Sequence, residues 1–286
     1  MDRNIDTAFK KRQAHELVNT YEFDKAIVLC KRLITMSPKL YDNHYFWART
    51  RGDQEEYRLS ELKFREVTIL NPQNPLAFNN MGIALSKQGK YEQAISSYKK
   101  GLEISQNHLD MTYNIAIAYT KKGDYEEAVE WYEKALKLSP YDASTHNCIG
   151  YLYFLQGKFW EAISKFDNAI QNNPQYEMPY YNKAIALFCE LGIGEEPNEA
   201  FRLGVKALSG GYNQKLHRLK ASLNNYNSEL NRVKKELDRP DLKSEARLNL
   251  EKIQKGFEFV LNGLAIEAEK FENLMSDISK KKAEKG

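Results

Sequence analysis

The side chains in this 286-residue sequence that could carry metal or nucleophilic chemistry are few and scattered. Its five histidines are His15, His44, His108, His146 and His217, and none stands at metal-ligand spacing from a Cys, Asp or Glu. Three cysteines, Cys30, Cys148 and Cys189, are odd in number and fit neither a metal nor a redox motif. No phosphate loop, dinucleotide fingerprint or nucleophile elbow is present. Leu208-Ser209-Gly210-Gly211 has no accompanying Walker lysine and reads as a helix stop, and Leu191-Gly192-Ile193-Gly194 reads as a loop. These residues predict a chain that is not an enzyme and holds no metal and no cofactor. What recurs instead is the amide. Asn80, Asn114 and Asn182 share one phase of a repeat, with Asn79 and Asn147 one position earlier. An amide both donates and accepts, so it suits recognition of a peptide backbone rather than bond breaking.

Positioning such residues is the task of a strict period. A small residue recurs every 34 positions at Ala14, Ala48, Gly82, Ala116, Gly150 and Ala184. Twelve residues behind run Ala26, Ser60, Ala94, Ala128 and Ala162, preceded by the aromatics Phe23, Tyr57, Tyr91, Tyr125 and Phe159. Cys30, Phe64, Tyr98, Tyr132 and Phe166 form a further series, and Pro38, Pro72, Pro140 and Pro174 close most units. Each unit reads as two amphipathic helices joined by a short turn. The small residues mark close backbone approach, and Gly89, Gly123 and Gly157 mark left-handed helix ends. One pair cannot bury its apolar face alone, so the pairs must stack.

This pattern resembles the tetratricopeptide repeat family over residues 7–211. The unit at 109–142 carries it most completely, with Tyr119, Gly123, Tyr125, Ala128, Tyr132, Ala135 and Pro140 in place. Arg51 and Ser60 depart from it in the early units. About four extra residues around Leu191–Pro197 precede Ala200, Gly204 and Ala207, and are expected to lengthen an inter-helix loop. After residue 211 a 3–4 heptad takes over: Leu216, Leu219, Leu223, Tyr226, Leu230, Val233, Leu237, a break at Asp238–Asp241, then Ala246, Leu250, Ile253, Phe257, Val260 and Leu264, with Phe271, Leu274 and Ile278 after a skip. The expected fold is all-α: a right-handed superhelical solenoid of about six tetratricopeptide helix pairs followed by a C-terminal coiled-coil hairpin. The predicted domains are 1–211, with units near 7–40, 41–74, 75–108, 109–142, 143–176 and 177–211, and 212–286 as a capping helix and hairpin with a basic tail. Capping, dimerisation and docking are all open to that hairpin.

The resemblance implies that the first helix of each unit lines a concave groove. A second stripe on those helices should be freely polar if they serve only as scaffold. It instead reads Asn79, Asn80 and Ile83, then Tyr113, Asn114 and Ile117, then Asn147 and Tyr151, then Tyr181, Asn182 and Ile185, extended by Leu76 and Met178. This is the candidate surface for an extended peptide or partner segment, with packing of neighbouring repeats as the competing reading. The expected role is a protein-interaction scaffold, and the alternative is a non-catalytic substrate-positioning subunit of an enzyme complex. The lysine and arginine clamp that holds acidic chaperone tails is not reproduced, since His15, Phe46, Leu76 and Asn80 occupy its places. Residues 1–211 hold 26 basic against 27 acidic side chains, which gives no nucleic-acid footprint. No segment is apolar enough to span a membrane, and the first residues form no apolar signal core, so the expected location is cytoplasmic.

Overall fold

The computed structural model describes residues 10, 12, 13, 16, 17, 23–36, 44, 45, 48, 49, 56–192, 194–208 and 212–283. Ala14, His15, Pro38, Phe46, Arg51, Ile193, Ser209, Gly210 and Gly211 lie outside them, as do the side chains of Phe23, Leu274 and Ile278. Among the described residues the long elements are twelve α-helices, with no strand. The chain divides into two compact units, Met1–Ser139 and Pro140–Gly286.

Unit 1 contains α1 (Phe23–Met36), α2 (Tyr57–Leu70), α3 (Pro75–Lys87), α4 (Tyr91–Ile104), α5 (Leu109–Lys122) and α6 (Tyr125–Leu138). Helices adjacent in sequence pack from α2 through α6. The repeat chemistry sets their ends. Asn74 accepts hydrogen bonds from the backbone N–H groups of Leu76 and Ala77, and Pro75 occupies the first turn of α3, where no donor is lost. Gly123 ends α5 at φ +97°, a conformation that disfavours any Cβ. Ser60, which departs from the alanine series, is buried and donates its hydroxyl to the Ala48 carbonyl at 2.8 Å, so the substitution leaves no orphan polar group.

Among the described residues of this unit, one carboxylate is buried. Glu61 receives the guanidinium of Arg65 at 2.8 Å, the ammonium of Lys90 at 2.8 Å and the amide of Gln88 at 3.0 Å. Burial alone would raise its pKa, but the hydrogen bonds from Lys90, Arg65 and Gln88 outweigh that and hold the carboxyl below its ordinary range.

Unit 2 contains α7 (Ala143–Leu155), α8 (Phe159–Asn172), α9 (Met178–Leu191), α10 (Glu195–Ala207), α11 (Tyr212–Leu237) and α12 (Ser244–Ala283). Three residues separate α9 from α10, the same number that separates α7 from α8. The expected longer loop is therefore absent. The extra residues are taken up as added helix at the end of α9 and the start of α10, where their backbone groups are hydrogen-bonded rather than left to solvent. The two C-terminal helices run antiparallel, with Lys220 against Glu272 at 2.6 Å and Lys234 against Glu258 at 3.8 Å. Their heptad residues Leu219, Tyr226, Leu230, Val233, Ile253, Phe257, Val260 and Leu264 belong to one core with α7–α10.

The small-residue series acts as the sequence implies. A Cβ built on Gly82 would lie 2.4 Å from the Tyr98 ring, and one on Gly150 would lie 2.7 Å from the Phe166 ring. Those rings are fully buried and cannot swing away. Gly150→Ala is therefore expected to cost about 1–3 kcal/mol by overpacking, read as a lower midpoint in urea unfolding. An unchanged midpoint would contradict the close-approach account.

Glu61 generates a second expectation. Its folded pKa is depressed, so its contribution is present above the unfolded carboxylate value, about 4.3, and is lost as pH falls through the lower folded value. Glu61→Gln should lower the melting temperature at pH 7, and the gap to the parent chain should close in acid. A gap independent of pH would mean that the loss comes from packing.

Candidate functional site

The first helices of successive units carry the asparagine series, and the structure shows what those amides do. Asn80 donates its amide to the Tyr45 hydroxyl at 2.8 Å. Asn114 donates to Asn79 Oδ1 at 3.1 Å, and Asn182 donates to Asn147 Oδ1 at 2.9 Å. Each bond joins residues 35 positions apart, from the later of the two adjacent stripe positions to the earlier one in the preceding repeat. The period causes this. Stacked first helices lie side by side with equivalent residues level, so an amide reaches the neighbouring helix at nearly constant height. The asparagines thus form a ladder inside each unit. Each side chain has two donor hydrogens and two acceptor lone pairs, so one rung does not exhaust it.

The surroundings of the ladder differ between the units. In unit 2 the stripe is covered. Tyr181 and Ile185 are 0% and 1% exposed, and Asn147 and Asn182 are buried. The α11–α12 hairpin covers them. The Tyr226 hydroxyl donates to Asn182 Oδ1 at 2.8 Å, and the Tyr151 hydroxyl donates to Glu229 at 2.7 Å. Phe257 packs edge-on against Phe154 at 5.9 Å between ring centroids. At Gly256 the hairpin comes so close to α9 that an added Cβ would lie 2.8 Å from Ile185 Cγ2. Glu177 is held bidentately by Arg218 of α11, with one bond at 3.1 Å. Burial pushes the Tyr226 phenol above its ordinary pKa, so it stays a neutral donor. The expectation of an open stripe is corrected here: Asn147, Tyr181, Asn182 and Ile185 are core residues, and Tyr151 is tied to α11.

In unit 1 the equivalent positions remain accessible. Ile83 is 37% and Leu76 47% exposed, while Tyr113, Asn80, Asn114 and Ile117 are half-buried and Asn79 is buried. Tyr113 packs edge-on against Tyr132 at 5.2 Å. A cavity of about 430 Å³ opens beside Tyr45, Phe64, Asn80, Ile83 and Lys87. Tyr45, Arg49 and Lys87 were not singled out from sequence. The 34-residue register could have pointed to Tyr45, which falls at the position of Asn79. No group of His, Cys, Asp and Glu able to hold a metal occurs among the described residues, and no described helix is long and apolar enough to cross a membrane.

Residues 75–108 match the family profile described as tetratricopeptide repeat, and residues 117–157 match a second one described as TPR repeat. These two stretches are tetratricopeptide repeats. No curated protein sequence matches this chain. Among solved structures, PilF of Pseudomonas aeruginosa is 15% identical, covers 78% of this chain and 100% of its own, and superposes with a TM-score of 0.59. MamA of Desulfovibrio magneticus RS-1 is 16% identical over 59% of this chain and 95% of its own, with a TM-score of 0.56. YrrB, described as a TPR protein with an unusual peptide-binding site, is 16% identical over 67% of this chain and 97% of its own, with a TM-score of 0.52. At these identities the likeness is one of fold. The matched stretches run over α3 and α4 and from within α5 to the end of α7, and the C-terminal hairpin lies outside both.

The hairpin contact can be measured. Tyr226→Phe removes one hydroxyl and leaves the buried Asn182 acceptor without its donor. The expected loss is about 1–3 kcal/mol in equilibrium unfolding. A loss near zero would show that the Tyr226 hydroxyl does not help to hold the hairpin.

Proposed function

We propose that this tetratricopeptide repeat chain is a protein-interaction scaffold, and that the first-helix face of unit 1 receives a segment of its partner. The observation that carries this reading is the contrast between the two asparagine ladders. The same stripe occurs in both units, and among the described residues it is covered only in unit 2. In unit 1, Ile83 and Leu76 remain exposed beside Asn80 and Asn114, whose bonds to Tyr45 and Asn79 fix their amides in place while leaving further donors and acceptors. Apolar side chains beside oriented amides suit a polypeptide ligand: the isoleucines take its side chains and the amides take its polar groups. Pre-ordered amides lose little freedom on binding, which favours affinity. That YrrB is described as having a peptide-binding site is consistent with this use of the fold.

The face is tested by selecting binders to the whole chain from displayed peptide libraries and titrating them by calorimetry. The parent should bind, and Ile83→Glu/Ile117→Glu should bind at least about tenfold more weakly, a difference of about 1.4 kcal/mol. Its thermal melt should stay close to that of the parent, because neither side chain is core. Binders that ignore the double substitution would place the interaction elsewhere and overturn the proposal.

A further inference from the structure

Unit 2 contains a worked example of an occupied stripe, and the occupant is helical. Asn114 and Asn182 hold the same repeat position and make the same rung, each donating to the asparagine 35 residues earlier, at 3.1 and 2.9 Å. At Asn182 the remaining carbonyl oxygen accepts the hydroxyl of Tyr226, which α11 carries. At Asn114 the corresponding oxygen has no donor among the described residues. Ile185, on which α12 lies at Gly256, corresponds to Ile83 and Ile117. The units diverge one turn further on. Tyr151 and Ile185 are followed four residues later by Leu155 and Cys189, both within the apolar cluster. Ile83 and Ile117 are followed by Lys87 and Lys121, both exposed and without a carboxylate partner among the described residues.

Resting on the reading of unit 1 as a partner-binding face, we infer that the partner segment is an amphipathic helix, not an extended strand. It presents a hydroxyl or amide donor to Asn114 Oδ1, places a small residue over Ile117, and carries acidic side chains along the edge that meets Lys87 and Lys121. Two observations support this. The only occupant of the stripe seen among the described residues is helical, and it uses the oxygen that Asn114 still offers. The lysines favour an acidic occupant over a basic helix such as α11. That helix carries Lys215, Arg218, Lys220, Arg232, Lys234 and Lys235 against Glu229 and Glu236, and although Arg218, Lys220 and Lys234 are paired with Glu177, Glu272 and Glu258, its net charge would not complement Lys87 and Lys121. An acidic helix would meet opposite charge there.

The test uses the full chain and two displayed libraries of equal size, one randomised on a single face of a helical scaffold and one of unconstrained linear peptides. The expected result is that the helical library enriches acidic binders. These should weaken about tenfold on Asn114→Ala, be lost on Ile117→Glu and weaken as salt rises. Melts of both variants alongside the parent confirm that they fold. If only linear peptides yield Ile117-dependent binders, the helical inference is overturned while the face itself stands. If helical binders come out basic, or do not respond to Asn114→Ala, the chemistry assigned to the partner is wrong. If neither library gives Ile117-dependent binders, the inference and the reading beneath it both fall.

Discussion

Everything in this structure depends on one contact, an aromatic ring of a second helix lying on a residue without bulk in the first. Gly82 under Tyr98 and Gly150 under Phe166 show it at its tightest. The ring fills the space that a side chain would take, so the two backbones approach closely and the helix pair becomes a rigid unit. Repeating the pair every 34 residues brings equivalent first helices side by side, and the polar stripe follows from that spacing. Asn114 meets Asn79 because the pairs stack in register, and a change in the helix-to-helix distance would separate them.

The same rigid spacing makes the stripe a surface with two fates. In unit 2 the C-terminal hairpin lies on it and joins its core. Tyr226 and Phe257 bring aromatic bulk, Gly256 permits contact with Ile185, and Arg218 neutralises the buried Glu177. In unit 1 the stripe keeps partly exposed isoleucines and ends in lysines. Among the described residues the stripe is built alike in both units and covered in one, which supports the proposal that unit 1 receives a partner, because exposed apolar side chains beside ordered polar groups gain most when a partner covers them.

The helix pairs were legible in the sequence because each is specified locally. The small residue, the aromatic ring sixteen positions later, the glycine at positive φ and the proline or asparagine at the next helix start all fall within one repeat. The hairpin's break at Asp238–Asp241 was legible for the same reason. The cover on unit 2 was not. Tyr226 reaches Asn182 across 44 residues and Glu229 reaches Tyr151 across 78, and no local pattern announces either bond. A heptad seam specifies that a helix buries one face, but not against what. So Tyr181, Asn182 and Ile185, which by register match Tyr113, Asn114 and Ile117, could not be told from them until the hairpin was placed. The extra residues near Leu191 likewise read as loop because glycines flank them, yet helix propagation absorbs them, since each added helical residue satisfies its own backbone groups.

The central claim is that one stripe is open and its counterpart closed. Hydroxyl-radical footprinting of the unmodified chain, read by mass spectrometry, tests this directly by comparing the oxidation of equivalent side chains. Ile83 and Ile117 should label rapidly, while Ile185 and Tyr181, at 1% and 0% exposure, should be protected. Equal labelling of Ile117 and Ile185 would contradict the account, because the two faces would then share the same environment.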